Sequence, residues 1–512
     1  MSEANDNNSS VPWTPRPATV EPQLPVSYPP SRLHSPFFSG SPLPSPDHVE
    51  PPKSRFCKIP AMPAPKLIAP FGNPLKKVLR LTKLDPEDSW LPITESRNGN
   101  KYYAAFHTLC SGIGIQALIL PVAFTYLGWA WGLISLTLAF IWQFYTLWIL
   151  VQLHESSENG KRYSRYVQLA DAAFGDRLGK VLALFPIGYL SSGTCGALIM
   201  IGGSTLKIFY QIVCKTTCTL KPLTTVEWCL VFTCAAVLLS LLPNLNSMAV
   251  VSLVGAITGI GYCTLIWVVS VAAGRLPEAS YNTLGGNTEI RRIGGVLNAL
   301  GTVAFAFRGH NLILEIQGTV PSSEKRPSQV PMWQGVKVAY TIIAMCLFPL
   351  AIGGYWAYGH KIPANNGMLT AFYQFHSRNV SPFVLGLTSL FIVINSLCSF
   401  QIYGMPSFDD MELLYTGTKK KRCPCWLRAL FRIVFGFFSF FIVVAVPFSA
   451  SVSGVAGGIA LPVTLAYPCF MWAKIKKPKK YGGMWWLNWG LGILGMGFSF
   501  ALVAAGIPVI CT

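Results

Sequence analysis

Arg308, His310 and Glu315 fall within eight residues of one another in the stretch 294–318, which is otherwise built almost wholly from apolar and small residues. A guanidinium offers a carboxylate a rigid fork of donors, an imidazole titrates near neutral pH, and a carboxyl withdrawn from water takes up a proton more readily. The trio suits anion binding joined to proton movement. It does not assemble an enzyme: that would need a nucleophile with a base, or a metal cluster, and no second His or Asp stands opposite in the other apolar stretches. The 14 cysteines are scattered and form no C-x-x-C pair with metal spacing, so neither a metal site nor a cofactor is expected.

Two arrangements satisfy these residues. Arg308 and Glu315 are seven apart, so an unbroken helix would place them two turns from each other on one face as a neutralising pair. Gly309, between Arg308 and His310, offers the other: a helix can open at glycine and release backbone donors and acceptors. A comparable break is expected where Ser111, Gly112 and Gly114 lie in mid-block, followed by Ile115, Gln116 and Pro121. Interrupted segments at equivalent positions of two halves are the sequence pointer to a carrier site. There, half-helix N-termini present positive dipole ends to a carboxylate, and loosened carbonyls face a cation or an amino group.

The elements that must hold these residues are apolar blocks. Of 512 residues, 52% are hydrophobic and 12% charged, about half the charge of a soluble domain. Lipid offers no water to unpaired backbone groups, so only helices or closed barrels span it, and unbroken rather than alternating blocks select helices. The expectation is an all-α polytopic membrane protein. Eleven spans are expected near 103–126, 128–153, 178–207, 226–243, 246–273, 294–318, 334–357, 381–404, 430–449, 452–473 and 484–510. The first five (about 102–274) and the next five (about 294–474) would form inverted repeats, with an eleventh helix (about 484–510) added. Ten of these spans have no Asp, Glu, Lys or Arg at their middles, leaving Glu315 as the expected lone embedded carboxylate.

A net charge of +19 does not imply nucleic acid, because the basic residues sit in connections rather than on one face of a domain. With a cytoplasmic N-terminus, the inner loops hold Lys161, Arg162, Arg165, Arg177, Lys180, Lys325, Arg326, Lys419 to Arg422, Arg428 and the lysines from 474 to 480. The outer loops hold fewer: Lys215, Lys221, Arg275, Arg291, Arg292, Lys361 and Arg378. Cys214 and Cys218 share an outer loop and could pair; Cys423 and Cys425 are expected as free thiols at the inner face. Residues 1–85 hold about half of the 38 prolines and few aliphatics, the composition of a disordered tail. Its Ser35-Pro36, Ser41-Pro42 and Ser45-Pro46 pairs could serve kinases, and the tail could hold partners of its own.

The run Phe305-Ala306-Phe307-Arg308-Gly309-His310-Asn311, continuing through Leu314-Glu315-Ile316-Gln317, resembles the sixth-helix signature of the plant amino acid and auxin permeases. The likeness is closest to their lysine-histidine transporter-like branch. It extends through Val320-Pro321-Ser322, Pro331-Met332-Trp333-Gln334-Gly335 and, in the first helix, Leu120-Pro121-Val122-Ala123-Phe124 with Leu127-Gly128-Trp129. This resemblance implies a LeuT-like fold of two inverted five-helix repeats plus one helix, and proton-coupled amino acid uptake at the plasma membrane. It implies substrate contacts from Gly112, Gly114, Ile115, Gln116, Phe305, Phe307, Arg308 and Gly309, with Glu315 and then His310 as proton-linked candidates. Related permeases usually carry a small residue in place of Arg308 and a glycine in place of Gln116. The alternatives are a carrier of auxin-like or other organic acids, and a nutrient sensor that signals through its tail.

Overall fold

The computed structural model describes residues 86–155, 161–214, 223–242, 248–285, 288–323, 325–364, 366–377, 379–445 and 450–511. The expected disordered tail with its Ser-Pro pairs, and Lys215, Cys218, Lys221 and Arg378, lie outside the described residues. Within them the regular structure is helical, with isolated bridges only at Glu155–Arg162 and Ser323–Arg326. The chain forms α1 (Lys101–Gly112), α2 (Ile115–Leu153), α3 (Tyr166–Phe174), α4 (Asp176–Cys214), α5 (Thr225–Ser240), α6 (Ala249–Ala272), α7 (Glu289–Ala306) and α8 (His310–Gly318). It continues with α9 (Gln329–Tyr358), α10 (Met368–His376), α11 (Pro382–Lys419), α12 (Cys425–Ala445), α13 (Ala450–Leu461), α14 (Tyr467–Lys476) and α15 (Gly483–Cys511).

Among the described residues, nine helical stretches are long and apolar enough to cross a membrane. A count of eleven would also take in α5, apolar but only 16 residues long, and would divide α2 at Gly128, where φ is 70°. Glycine adopts that conformation at little cost, so Leu127-Gly128-Trp129 is where one rod can become two. The outward faces are apolar: Val181, Phe185, Leu238, Phe441 and Phe500 are all exposed, as lipid-facing side chains must be.

Hydrocarbon does not drive apolar helices together, so small residues and interhelical hydrogen bonds must hold the bundle. On α11, Asn395 donates to the Gly255 carbonyl at 2.8 Å, Gln401 to that of Ala236 at 2.9 Å and Ser399 to that of Cys110 at 2.8 Å. These tie one helix to α6, α5 and α1. α1 packs against α9, and α7 against α2. Glycines set the closest approaches: a Cβ on Gly335 would meet the backbone of Lys101 and Ala105, and one on Gly301 would collide with the backbone of Gly454. Gly301→Val should therefore destabilise the fold by about 1–3 kcal/mol, the usual cost of overpacking. Thermal unfolding in detergent reads this directly, and an unchanged midpoint would mean that α7 and α13 do not touch there.

The sequence placed the eighth span at 381–404, but α11 continues unbroken to Lys419. Asp409 and Glu412 are thereby carried into the interior, both essentially inaccessible, so Glu315 is not the only buried carboxylate. Cys214 is disulfide-bonded, and so is Cys425, contrary to the pair of free thiols expected; Cys423 is free.

Candidate functional site

Asn100 starts α1 by accepting from the backbone of Tyr102 and Tyr103 at 2.9 and 3.0 Å. The helix stops at Gly112, and Ile113 and Gly114 are extended before α2 begins at Ile115. Several released carbonyls at this break are taken by side chains. Tyr403 donates to Ser111 at 2.8 Å, Gln116 Nε2 to Gly112 at 2.7 Å and Tyr262 to Gly114 at 2.9 Å. Ala117 N donates back to the Gly114 carbonyl at 3.0 Å, while the N–H groups of Ile115 and Gln116 have no carbonyl one turn back to bond to, so that end is a ready seat for an anion.

The second break separates α7 from α8. Thr288 caps the start of α7, accepting from Arg291 N at 3.4 Å, and the helix ends at Ala306. Gly309 then takes φ 113°, and α8 begins at His310. The two breaks lie side by side: a Cβ on Gly309 would sit 3.4 Å from Ser111 Oγ, and one on Gly114 would sit 2.8 Å from Arg308 Nη2. Space does not forbid a side chain at 309; the backbone does. Gly309→Ala should cost about 1–3 kcal/mol through strain alone. The check is a lowered unfolding midpoint together with reduced uptake, and a wild-type midpoint would mean that the left-handed turn is not required.

Arg308 is 5% exposed, and it makes a long hydrogen bond from Nη1 to Thr194 Oγ1 at 3.5 Å. Its Nε and Nη2 have no partner. The guanidinium lies against the rings of Phe305, 5.1 Å from the centroid, and Tyr403, at 4.9 Å. Desolvated cation–π contacts contribute about 2 kcal/mol or more each, set against the several kcal/mol of desolvation for a buried ion. Beside it, Gln116 Oε1 is also buried without a partner. Phe307 faces elsewhere, its ring 5.6 Å from Phe140 and 6.2 Å from Tyr340.

Glu315 does not pair with Arg308. Its Oε1 accepts from Tyr166 N at 3.3 Å, its Oε2 has no partner, and it lines a crevice with Ile93, Leu312, Ile316, Ile402, Met405 and Pro406 that is too tight for water. His310 joins α8 to α2, with Nε2 at 3.0 Å from both Thr146 Oγ1 and the Gln143 carbonyl.

One residue before Tyr166, Arg165 donates to Asp409 at 2.5 Å and to Asp88 at 3.3 Å, and Arg97 donates to Asp88 at 3.2 Å. Burial alone would lower the affinity of Arg165 for its proton, but the two carboxylates outweigh it and raise it. Arg162 donates to the carbonyls of Gln317 and Val320 at 3.2 and 2.8 Å, and burial beside Arg97 lowers it to about 10. His154 is pushed well down by burial and by the neighbouring Arg162 and Arg97. Arg428 pairs with Glu412 at 2.7 Å and donates to the Trp90 carbonyl at 2.8 Å. These ties close the bundle at the end where α1 begins.

Residues 97–511 match the family described as transmembrane amino acid transporter protein. The chain belongs to this family. It is similar to lysine histidine transporter-like 8 of Arabidopsis thaliana, 53% identical over 97% of this chain and 95% of that protein. Lysine histidine transporter-like 7 of the same plant is 45% identical over 82% of this chain and 87% of its own length. Among solved structures, MhsT in complex with L-phenylalanine aligns with a TM-score of 0.54 at 12% identity, covering 79% of this chain and 98% of that one. The fold is thus LeuT-like, that of a multi-pass membrane transporter and not of an enzyme.

In this amino acid transporter family member, six of the residues expected to contact substrate converge at the two breaks: Gly112, Gly114, Gln116, Phe305, Arg308 and Gly309. Ile115 lies in the packed core at the start of α2, and Phe307 belongs to an aromatic layer. Sequence reading missed the ion-pair cluster of Asp88, Arg97, Arg165 and Asp409. The signal present in the sequence was the acidic pair Asp409-Asp410 shortly after the expected eighth span.

Proposed function

We propose that the chain is a secondary active carrier that moves an amino acid across the membrane by alternating access, with the solute held between the two breaks and uptake driven by protons. The observation that supports this best is the juxtaposition of two interrupted helices whose turns, at 113–114 and 307–309, place an unpartnered buried guanidinium and amide oxygen against a helix N-terminus. With the first and second five helices acting as repeats, rocking one against the other would expose the breaks alternately to each side. The ion pairs of Arg165 would seal the cytoplasmic side and part when it opens. Glu315, bonded to the backbone next to Arg165, would pass proton occupancy to that seal, with His310 the second candidate. The N-terminus and the seal lie on the cytoplasmic face in this reading, at the plasma membrane.

Uptake of a panel of labelled amino acids into proteoliposomes with an imposed pH gradient tests the proposal. Saturable accumulation that collapses when a protonophore dissipates the gradient is the expected result. Uptake indifferent to the gradient would remove the protons, and absence of uptake for every amino acid would remove the carrier.

A further inference from the structure

Resting on the reading of the two breaks as the substrate site, we infer that the transported amino acid carries a carboxylate side chain, and that Arg308 is the residue that selects it. The fork of Arg308 is buried with Nε and Nη2 unpartnered. Glu315, the carboxylate that sequence spacing would give it, is engaged at Tyr166 N instead. Phe305 and Tyr403 cover the guanidinium with their rings and leave its Nη2 edge against Gly114, whose lack of a side chain lets Nη2 approach that closely.

The other groups of an amino acid are already provided for. The α-carboxylate suits the N–H groups of Ile115 and Gln116 at the start of α2. The ammonium suits Gln116 Oε1, which has no donor and lies on the same side of Gly114 as Arg308 Nη2. Gln116 Nε2 is committed to the Gly112 carbonyl, so the amide cannot turn its nitrogen inward without losing that bond. What remains is a two-donor fork with no anion, and a planar carboxylate at the end of a short side chain matches it bidentately. A neutral amino acid would leave the buried charge uncompensated, and a lysine or arginine side chain would add a second cation beside it.

Uptake of labelled glutamate, aspartate, leucine and lysine by the reconstituted full chain tests this, together with the variant Arg308→Gln. The expected result is wild-type kcat/KM for glutamate or aspartate at least about tenfold above leucine, with lysine lowest. In Arg308→Gln the acidic substrates should lose at least that factor while leucine gains relative to them. Preferential uptake of leucine or lysine by the wild type would overturn the inference and leave the carrier reading standing. An equal loss for all substrates in Arg308→Gln would assign Arg308 to the α-carboxylate and overturn it as well. A wild type that takes up none of the four would overturn carrier and selectivity together. The wild-type ranking decides the matter even if the variant fails to fold.

Discussion

Glu315→Gln is expected to abolish gradient-driven accumulation while leaving exchange of labelled for unlabelled substrate across the membrane largely intact. The amide is nearly the shape of the carboxyl and its oxygen can still accept from Tyr166 N, so the packing with Ile402, Met405 and Pro406 should survive. What disappears is the ability to change charge. A pH difference of one unit supplies about 1.4 kcal/mol per proton, enough for roughly tenfold accumulation, and that ratio should fall to about one in the variant. Accumulation equal to wild type would take Glu315 out of the coupling and leave His310 as the candidate on α8.

The second large effect is expected at Arg165. Arg165→Ala strands Asp409, which is fully buried, and removes a donor from Asp88. Breaking a buried pair by deleting one partner costs about 3–5 kcal/mol, much of it from the charge left behind. The single variant should therefore unfold well below wild type and lose net uptake, because the end of the bundle near Asp88 no longer closes. Adding Asp409→Ala should recover part of the stability without restoring uptake. If Arg165→Ala costs less than about 1 kcal/mol, the contact behaves as a screened surface pair and the seal lies elsewhere.

Much of this was legible in the sequence because lipid imposes simple rules. Apolar blocks gave the helices, and mid-block glycines at 112, 114 and 309 marked where two of them stop, since few other signals interrupt a membrane helix. What escaped had physical reasons. Arg308 and Glu315 share a face only if the helix continues between them, and the turn at Gly309 sends one to the break and the other toward Tyr166. The interior course of α11 beyond residue 404 was hidden because the acidic residues Asp409, Asp410 and Glu412 end the apolar pattern. The arginine partners of Asp409 and Glu412 come from the connection before α3 and from α12, distant in sequence. The resemblance includes Phe307 among the substrate contacts, and the non-helical turn it occupies sets its ring beside that of Phe140.

A density map of the purified protein saturated with its best transported amino acid measures the central claim most directly. The account predicts solute density enclosed by residues 112–116 and 305–309, within hydrogen-bonding distance of the α2 N-terminus and Arg308. Density seated elsewhere, or a first helix running unbroken through Ile113 and Gly114 around it, would contradict it.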